Sequence, residues 1–354
     1  MNCISLVCLL LCTGVSSFRF EELTQYVNSH EEEFIKTLRQ WIAVESDSSD
    51  VTKRSDLHRM MDMTAEKLRL IGGSVEMVDV GMQSLPNGSS IALPKVVTAE
   101  FGSDPSKRTV CVYGHVDVQP AKKEDGWATE PYELTDIDGN LYGRGASDNK
   151  APVLAWIHTV EVYKALNIDL PVNVKFIIEG MEETGSNGLD DMIVAQKDTF
   201  FSDVDYIIIS DCVWLSKRPA LTYGTRGNCY FFAEVTDYLH SVFAKRNSPN
   251  KLNVTMVIGA KPWLADPKHP LYEAGKAAVK RVFDVEPDLI REGGTIPIAR
   301  SFQDVTGKSI IMLPIGGFDD GLHSQNEKIS RYNYIEGTKL FIAYLHEVSQ
   351  IKKY

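Results

Sequence analysis

Five short segments carry side chains that could do chemistry together. Gly114-His115-Val116-Asp117 puts an imidazole at the end of an apolar run with a carboxylate two residues on. A carboxylate so placed commonly takes the second ring N–H of a metal-binding histidine, so Asp117 has a natural role in orienting His115. Tyr142-Gly-Arg-Gly-Ala-Ser-Asp148 brings an aspartate through a glycine-rich turn to the start of a helical pattern. Glu182 and Glu183 are neighbouring acids between glycines, where their repulsion needs a cation, a proton or solvent to relieve it. Asp211 follows the uninterrupted Tyr206-Ile-Ile-Ile-Ser210, and His323 comes shortly after an apolar run and the Gly316-Gly317 turn. Alone, each has a plain structural explanation: a surface pair, a helix cap, a solvated turn. Together they are two imidazoles and several hard carboxylates, a donor mixture that suits Zn²⁺, with Mn²⁺ or Co²⁺ as substitutes. A centre of two metals would need one of the carboxylates as a bridge.

Such residues converge only if the surrounding elements carry them to one place. Apolar residues recur at helical spacing over 21–44 and 55–70, so two helices are expected to open the folded chain. Strand-like runs follow at 75–80, 96–101, 109–113, 172–178 and 206–209, several of them continuously apolar, as in strands covered on both faces. Helical patterns at 151–166 and 189–199 alternate with them. Alternation of this kind implies βαβ units, hence an α/β fold with a mostly parallel sheet sandwiched by helices. The C-terminal part adds a helix at 270–283, a strand at 309–313 and a closing helix at 334–351. His115, Glu182–Glu183, Asp211 and His323 then all fall after strands, at the sheet edge where α/β folds hold their sites. The segment 227–263 departs from this rhythm. It reads as strand at 229–235, helix at 239–245 and strand at 252–258, too small to fold unaided.

The chain has 354 residues, 44% of them hydrophobic, and a formal net charge of −11. That balance argues against nucleic acid or an anionic membrane as partners. Residues 1–17 have no charged side chain and an apolar stretch, Ile4–Leu11, that gives way to small residues, the pattern of a secretory signal peptide. The run is too short to anchor the chain in a membrane. Removing it would take Cys3, Cys8 and Cys12 and leave Cys111, Cys212 and Cys229, which are not a disulfide framework. In a secreted chain Asn87-Gly-Ser89 and Asn253-Val-Thr255 are acceptors for N-glycosylation.

GHVDVQP (114–120), GRGASDNKAP (143–152), EGMEETGS (179–186), REGGTIPIA (291–299) and DDGLHSQNEKI (319–329) resemble the cocatalytic zinc exopeptidases that include carnosinases, aminoacylases and the glutamate carboxypeptidases. The resemblance covers most of the chain beyond residue 17. It implies that His115, Asp148, Glu183, Asp211 and His323 hold two zinc ions, with Asp148 as the bridge. Glu182 would be the general base, supported by Asp117, and Gly294 and Thr295 would contact the substrate. A secreted dipeptidase for Xaa-His dipeptides such as carnosine is the activity it implies. Members of this family form homodimers through an inserted α/β lid that also donates substrate-binding groups. Here only 228–262 stands between the two parts of the catalytic domain, 18–227 and 263–354, so most of the lid has no counterpart. His240-Ser241 lacks the glycine of the lid's His-Ser-Gly motif and is not taken as its substitute. A competing expectation is therefore a secreted zinc-binding chain whose turnover is impaired by loss of the substrate clamp.

Overall fold

The computed structural model describes residues 18–226, 231–246, 248–252, 254, 261–294 and 296–352. The expected signal peptide, Cys229, Asn253 and Thr295 lie outside these residues. Three helices come first: α1 (Phe20–Ser29), α2 (Glu31–Ile42) and α3 (Arg54–Leu70). The single helix expected over 21–44 is thus two. It breaks at His30, whose ring stacks on Tyr26 with centroids 3.7 Å apart, and Glu31, Glu32 and Glu33 open α2, acids in a first turn being favoured by the helix dipole.

Strands β1 (Ser74–Val78), the hairpin β2 (Met82–Ser84) and β3 (Ser90–Ala92), β4 (Val96–Phe101) and β5 (Thr109–His115) come next. After β6 (Thr135–Ile137) and β7 (Asn140–Tyr142) the chain alternates through α4 (Ala151–Ala165), β8 (Asn173–Glu179), α5 (Leu189–Ala195), β9 (Tyr206–Ile209) and β10 (Ala220–Thr225). The remainder is α6 (Phe231–Lys245), β11 (Trp263–Leu264), α7 (Pro270–Phe283), β12 (Asp288–Glu292), α8 (Pro297–Thr306), β13 (Ser309–Met312), β14 (Lys328–Ser330) and α9 (Arg331–Ser349).

Nine strands form the main sheet in the order β1-β4-β8-β5-β9-β13-β10-β11, with β12 paired to β10. Its centre, β8-β5-β9-β13, is parallel. The flanks β1-β4-β8 and β13-β10-β11 are antiparallel. Every residue of β5 and β8 is buried, and successive side chains serve two cores. Val110, Val112, Ile208 and Phe176 pack toward α2, α3, α4, α7 and α9, while Cys111, Tyr113, Ile207 and Ile177 pack toward α5 and α8. The α/β sandwich expected from alternation is therefore present. α4 is apolar nearly all round because it is covered on all sides, with Trp156 stacked on Phe341 of α9 at 3.9 Å.

One element contradicts the sequence expectation. Of the strand expected at 229–235, the described residues 231–235 are instead the start of α6. Phe231, Val235, Leu239 and Val242 recur at helical spacing, and no strand among the described residues pairs with this segment. None of the described side chains of α6, 237–245, is buried. No helix among the described residues is long and apolar enough to cross a membrane.

Candidate metal centre

Strand ends and the turns beyond them bring the candidate residues together. His115 is the last residue of β5, and Gly114 before it is needed because a Cβ there would lie 2.5 Å from Val153 Cγ2 of α4. Glu182 and Glu183 occupy a helical turn that begins three residues past the end of β8, and Asp211 lies two residues past β9. Asp148 ends the glycine-rich turn before α4. His323 sits in the 313–327 loop between β13 and β14, with a left-handed backbone at φ 57°.

His115 Nε2 lies 3.1 Å from Asp148 Oδ1, 3.4 Å from Asp211 Oδ1 and 4.0 Å from Glu182 Oε2. His323 Nε2 is 2.9 Å from Asp148 Oδ2 and 3.0 Å from Glu183 Oε2. Asp148 thus offers one oxygen to each histidine, the arrangement of a carboxylate between two half-sites. Two ligand groups emerge, His115 with Glu182 and Asp211, and His115 with Asp148 and Glu183, each with donor atoms within 4.8 Å of one another. Glu182 and Glu183 compete for the same neighbourhood, so geometry alone leaves either able to reach a cation.

Several side chains hold these donors in place. Asp117, fully buried, lies with Oδ1 3.3 Å from His115 Nδ1, leaving Nε2 to face the cluster. Its carboxylate also accepts hydrogen bonds from the backbone N–H groups of Glu182 (3.2 Å) and Glu183 (3.0 Å). Gln119 donates to Glu183 Oε2 at 2.8 Å, and Asn149 donates to Asp211 Oδ1 at 3.1 Å. Sequence reasoning missed both. Gln119 is visible afterwards as part of the same strand-end phrase as His115 and Asp117; Asn149 adjoins Asp148.

The charge state follows from crowding. Burial opposes charge on His115, but Asp211, Asp117 and Asp148 outweigh it and hold the imidazole well above its usual range. Hydrogen bonds to Asp148 and Glu183 push His323 up to about 11. Burial would raise Asp148, yet the two histidines hold it below the ordinary carboxylate range. Glu182 goes the other way: burial, with Asp211, Glu183 and Asp148 behind it, raises it well above that range against the pull of His115. Burial also raises Glu183 and Asp211. Acids outnumber imidazoles, and all but His323 are largely buried, which strongly favours bound cations, and the mixed nitrogen and oxygen donors fit a transition metal of the zinc kind.

Asp148, Glu182, Asp211 and His323 line a cavity of about 400 Å³ whose other walls include Cys212, Glu292, Gly294, Ile296 and Leu322. Gly294, expected to contact the substrate, is one of these walls; Thr295 is next to it in sequence. Glu292, unanticipated from sequence, accepts from the N–H groups of Gly293 and Gly294 through Oε1, while its buried Oε2 has no partner among the described residues. Asn87 lies far from this centre in sequence, exposed at the tip of the β2–β3 hairpin, where its Oδ1 accepts from Ser89. His240 is exposed on α6 and is not among the cavity walls.

Comparison with known proteins gives the same direction. A family model described as Peptidase family M20/M25/M40 matches residues 111–347. The chain is 40% identical to a Beta-Ala-His dipeptidase of Rattus norvegicus, covering 94% of this chain and 96% of that protein. It is 30% identical to the Cys-Gly metallodipeptidase dug1 of Schizosaccharomyces pombe, covering 94% and 98%. The crystal structure of human carnosine dipeptidase 1 superposes with a TM-score of 0.89 at 38% identity, over 94% of this chain and 99% of that one. The alignment with the rat protein runs over 471 residues against a chain of 354, so at least 117 of its positions, the difference between the two, are gaps on this side.

Proposed function

The chain belongs to peptidase family M20/M25/M40, and on that premise we propose that it is a secreted two-zinc dipeptidase cleaving Xaa-His dipeptides such as carnosine. One observation carries this reading: His115, Asp148, Glu183, Asp211 and His323 bring their donor atoms together, and three of them, Asp148, Asp211 and His323, line a cavity that Glu182 also lines. We assign those five as zinc ligands, with Asp148 as the bridge. Bound there, the metals would polarise the scissile carbonyl and acidify the attacking water.

The remaining chemistry belongs to the chain. Glu182 takes the proton of the attacking water and passes it to the leaving amine, and its raised proton affinity in a buried setting supports that use. Asp117 keeps His115 and the Glu182–Glu183 backbone in register. Gly294 lines the cavity, and we assign it and Thr295, the next residue in the sequence, to contact with the substrate's C-terminal part. Preference for a histidine-ended dipeptide rests on the 40% identity to a Beta-Ala-His dipeptidase, and the relative named for Cys-Gly makes that dipeptide the natural comparison substrate. Secretion rests on the apolar N-terminal segment, and the exposed hairpin tip makes Asn87 a fitting glycosylation site, with Asn253 as a second.

The test is release of free histidine from carnosine by the purified, zinc-loaded protein, beside Glu182→Gln. Loss of the base should slow release by about 10²–10⁴-fold; equal rates overturn the assignment. A second reading is favoured by the gap of at least 117 positions against the rat relative, which removes groups that could clamp a substrate or pair two subunits. Two bound zinc ions without release from carnosine, Cys-Gly or other dipeptides would support that non-turning chain instead.

A further inference from the structure

The segment that carries His323 is fastened to the turn that carries Asp148 at several points, and one buried carboxylate does most of the fastening. Glu327, fully buried, accepts hydrogen bonds from the backbone N–H groups of Gly145 (2.9 Å), Ser147 (2.9 Å) and Asp148 (3.0 Å) and from Arg144 Nη1 (2.8 Å). Its own carbonyl accepts from the N–H of Gly143 at 2.9 Å. Four donors on one carboxylate leave the turn little freedom, because releasing any of them would strand a buried N–H. The same two segments are joined at the other end by Ser147 Oγ donating to Asp320 Oδ2 at 2.8 Å, and across the middle by Arg144 Nη2 donating to Ser324 O at 3.2 Å.

We propose that Glu327 is a positioning residue that locks the Asp148 turn and the His323 loop into one body, so that both halves of the metal centre depend on it although it reaches neither cation. The argument is one of connectivity. Asp148 faces His115 with one oxygen and His323 with the other, so a displaced Asp148 disturbs both half-sites at once. His323 stands four residues before Glu327 on a loop with left-handed backbone at His323 and Asn326. A change at Glu327 therefore reaches the second histidine as well as the bridge.

This inference rests on the two-metal reading above, and the test separates the two. Zinc content after exhaustive dialysis, and zinc affinity by competition with a chromophoric chelator, are measured for the intact chain, Glu327→Gln and Glu327→Asp, alongside far-UV circular dichroism and the metal-free melting temperature. Glutamine keeps the volume but turns a donor toward the Arg144 guanidinium or a turn N–H. The expected result is a native fold with both equivalents weakened, by about 10–100-fold as is typical when a ligand's supporting partner is lost. Aspartate, which keeps the charge, recovers part of that loss. A wild-type chain that binds no zinc overturns the functional reading rather than this one. With two equivalents bound by the wild type, either of two results overturns the proposal: unchanged affinity in Glu327→Gln, or loss confined to one equivalent. So does failure of both variants to fold, which would assign Glu327 to the fold alone.

Discussion

At the scale of single residues, the centre is distinguished by how few of its groups act alone. Asp117 touches an imidazole on one side and two backbone N–H groups on the other, so it holds His115 and the Glu182–Glu183 backbone with one carboxylate. Asp117→Asn should therefore lower kcat for dipeptide hydrolysis by about 10–100-fold while changing KM little, since positioning rather than substrate contact is lost. Steady-state kinetics on the zinc-loaded variant checks it, and a rise in KM with kcat intact would contradict the role. The five ligand candidates and Glu182 were legible in the sequence because metal chemistry restricts residue types severely and turns rich in glycine mark where those types are exposed to one another. Gln119, Asn149, Glu292 and Glu327 were not, because an amide or a carboxylate in a polar phrase has many ordinary uses, and only proximity reveals the one in force.

Among elements, the helical layer behind the sheet is joined by an ionic contact far from the cavity. Lys67 of α3 donates to both oxygens of Glu161 on α4 at 2.8 Å, and His158 Nδ1 lies 2.8 Å from the same carboxylate. His158 in turn meets Tyr334 of α9 through Nε2 at 3.1 Å and stacks on Phe34 of α2. Burial works against the charge on Glu161, but His158 and Lys67 outweigh it and draw its pKa down to about 2 from an ordinary 4.5. A carboxyl depressed by folding contributes stability that is complete above the unfolded value and disappears as pH falls through the folded one. Glu161→Gln should thus be less stable than the parent by about 1–2 kcal/mol near pH 6, with the difference closing between pH 4.5 and 2. Urea denaturation of the two chains across that window is the measurement. Elements of this layer were foreseen where apolar periodicity is strong, as in α3, α4 and α7. Strand β10, which is paired on both sides, the short edge strand β12 and helix α8 escaped notice because their half-polar sequences acquire their meaning only from neighbours distant in the chain. The 229–235 run misled for the related reason that a short apolar stretch fits strand and helix alike.

For the whole molecule, the order of strands matters more than their number. Among the described residues, strands after α6 do not form a sheet of their own: β13 pairs with β9 and β10, β12 and β11 pair with β10, and β14 pairs with β7. α6 itself buries none of its described side chains, and Lys245 and Arg246 at its end are exposed. Trypsin should consequently nick the native chain first at these two residues, the kind of exposed, unpacked site that proteases prefer. The cut protein should elute as one particle from a sizing column, running as two pieces only in denaturant; early scattered cleavage or native separation of the pieces would contradict this. Each piece would then hold what the other needs, four of the five ligand candidates on the first and His323 on the second. Mixing the two halves from separate denatured stocks would make regained zinc binding a direct assay of reassembly, with the ion reporting that two polypeptides have found each other.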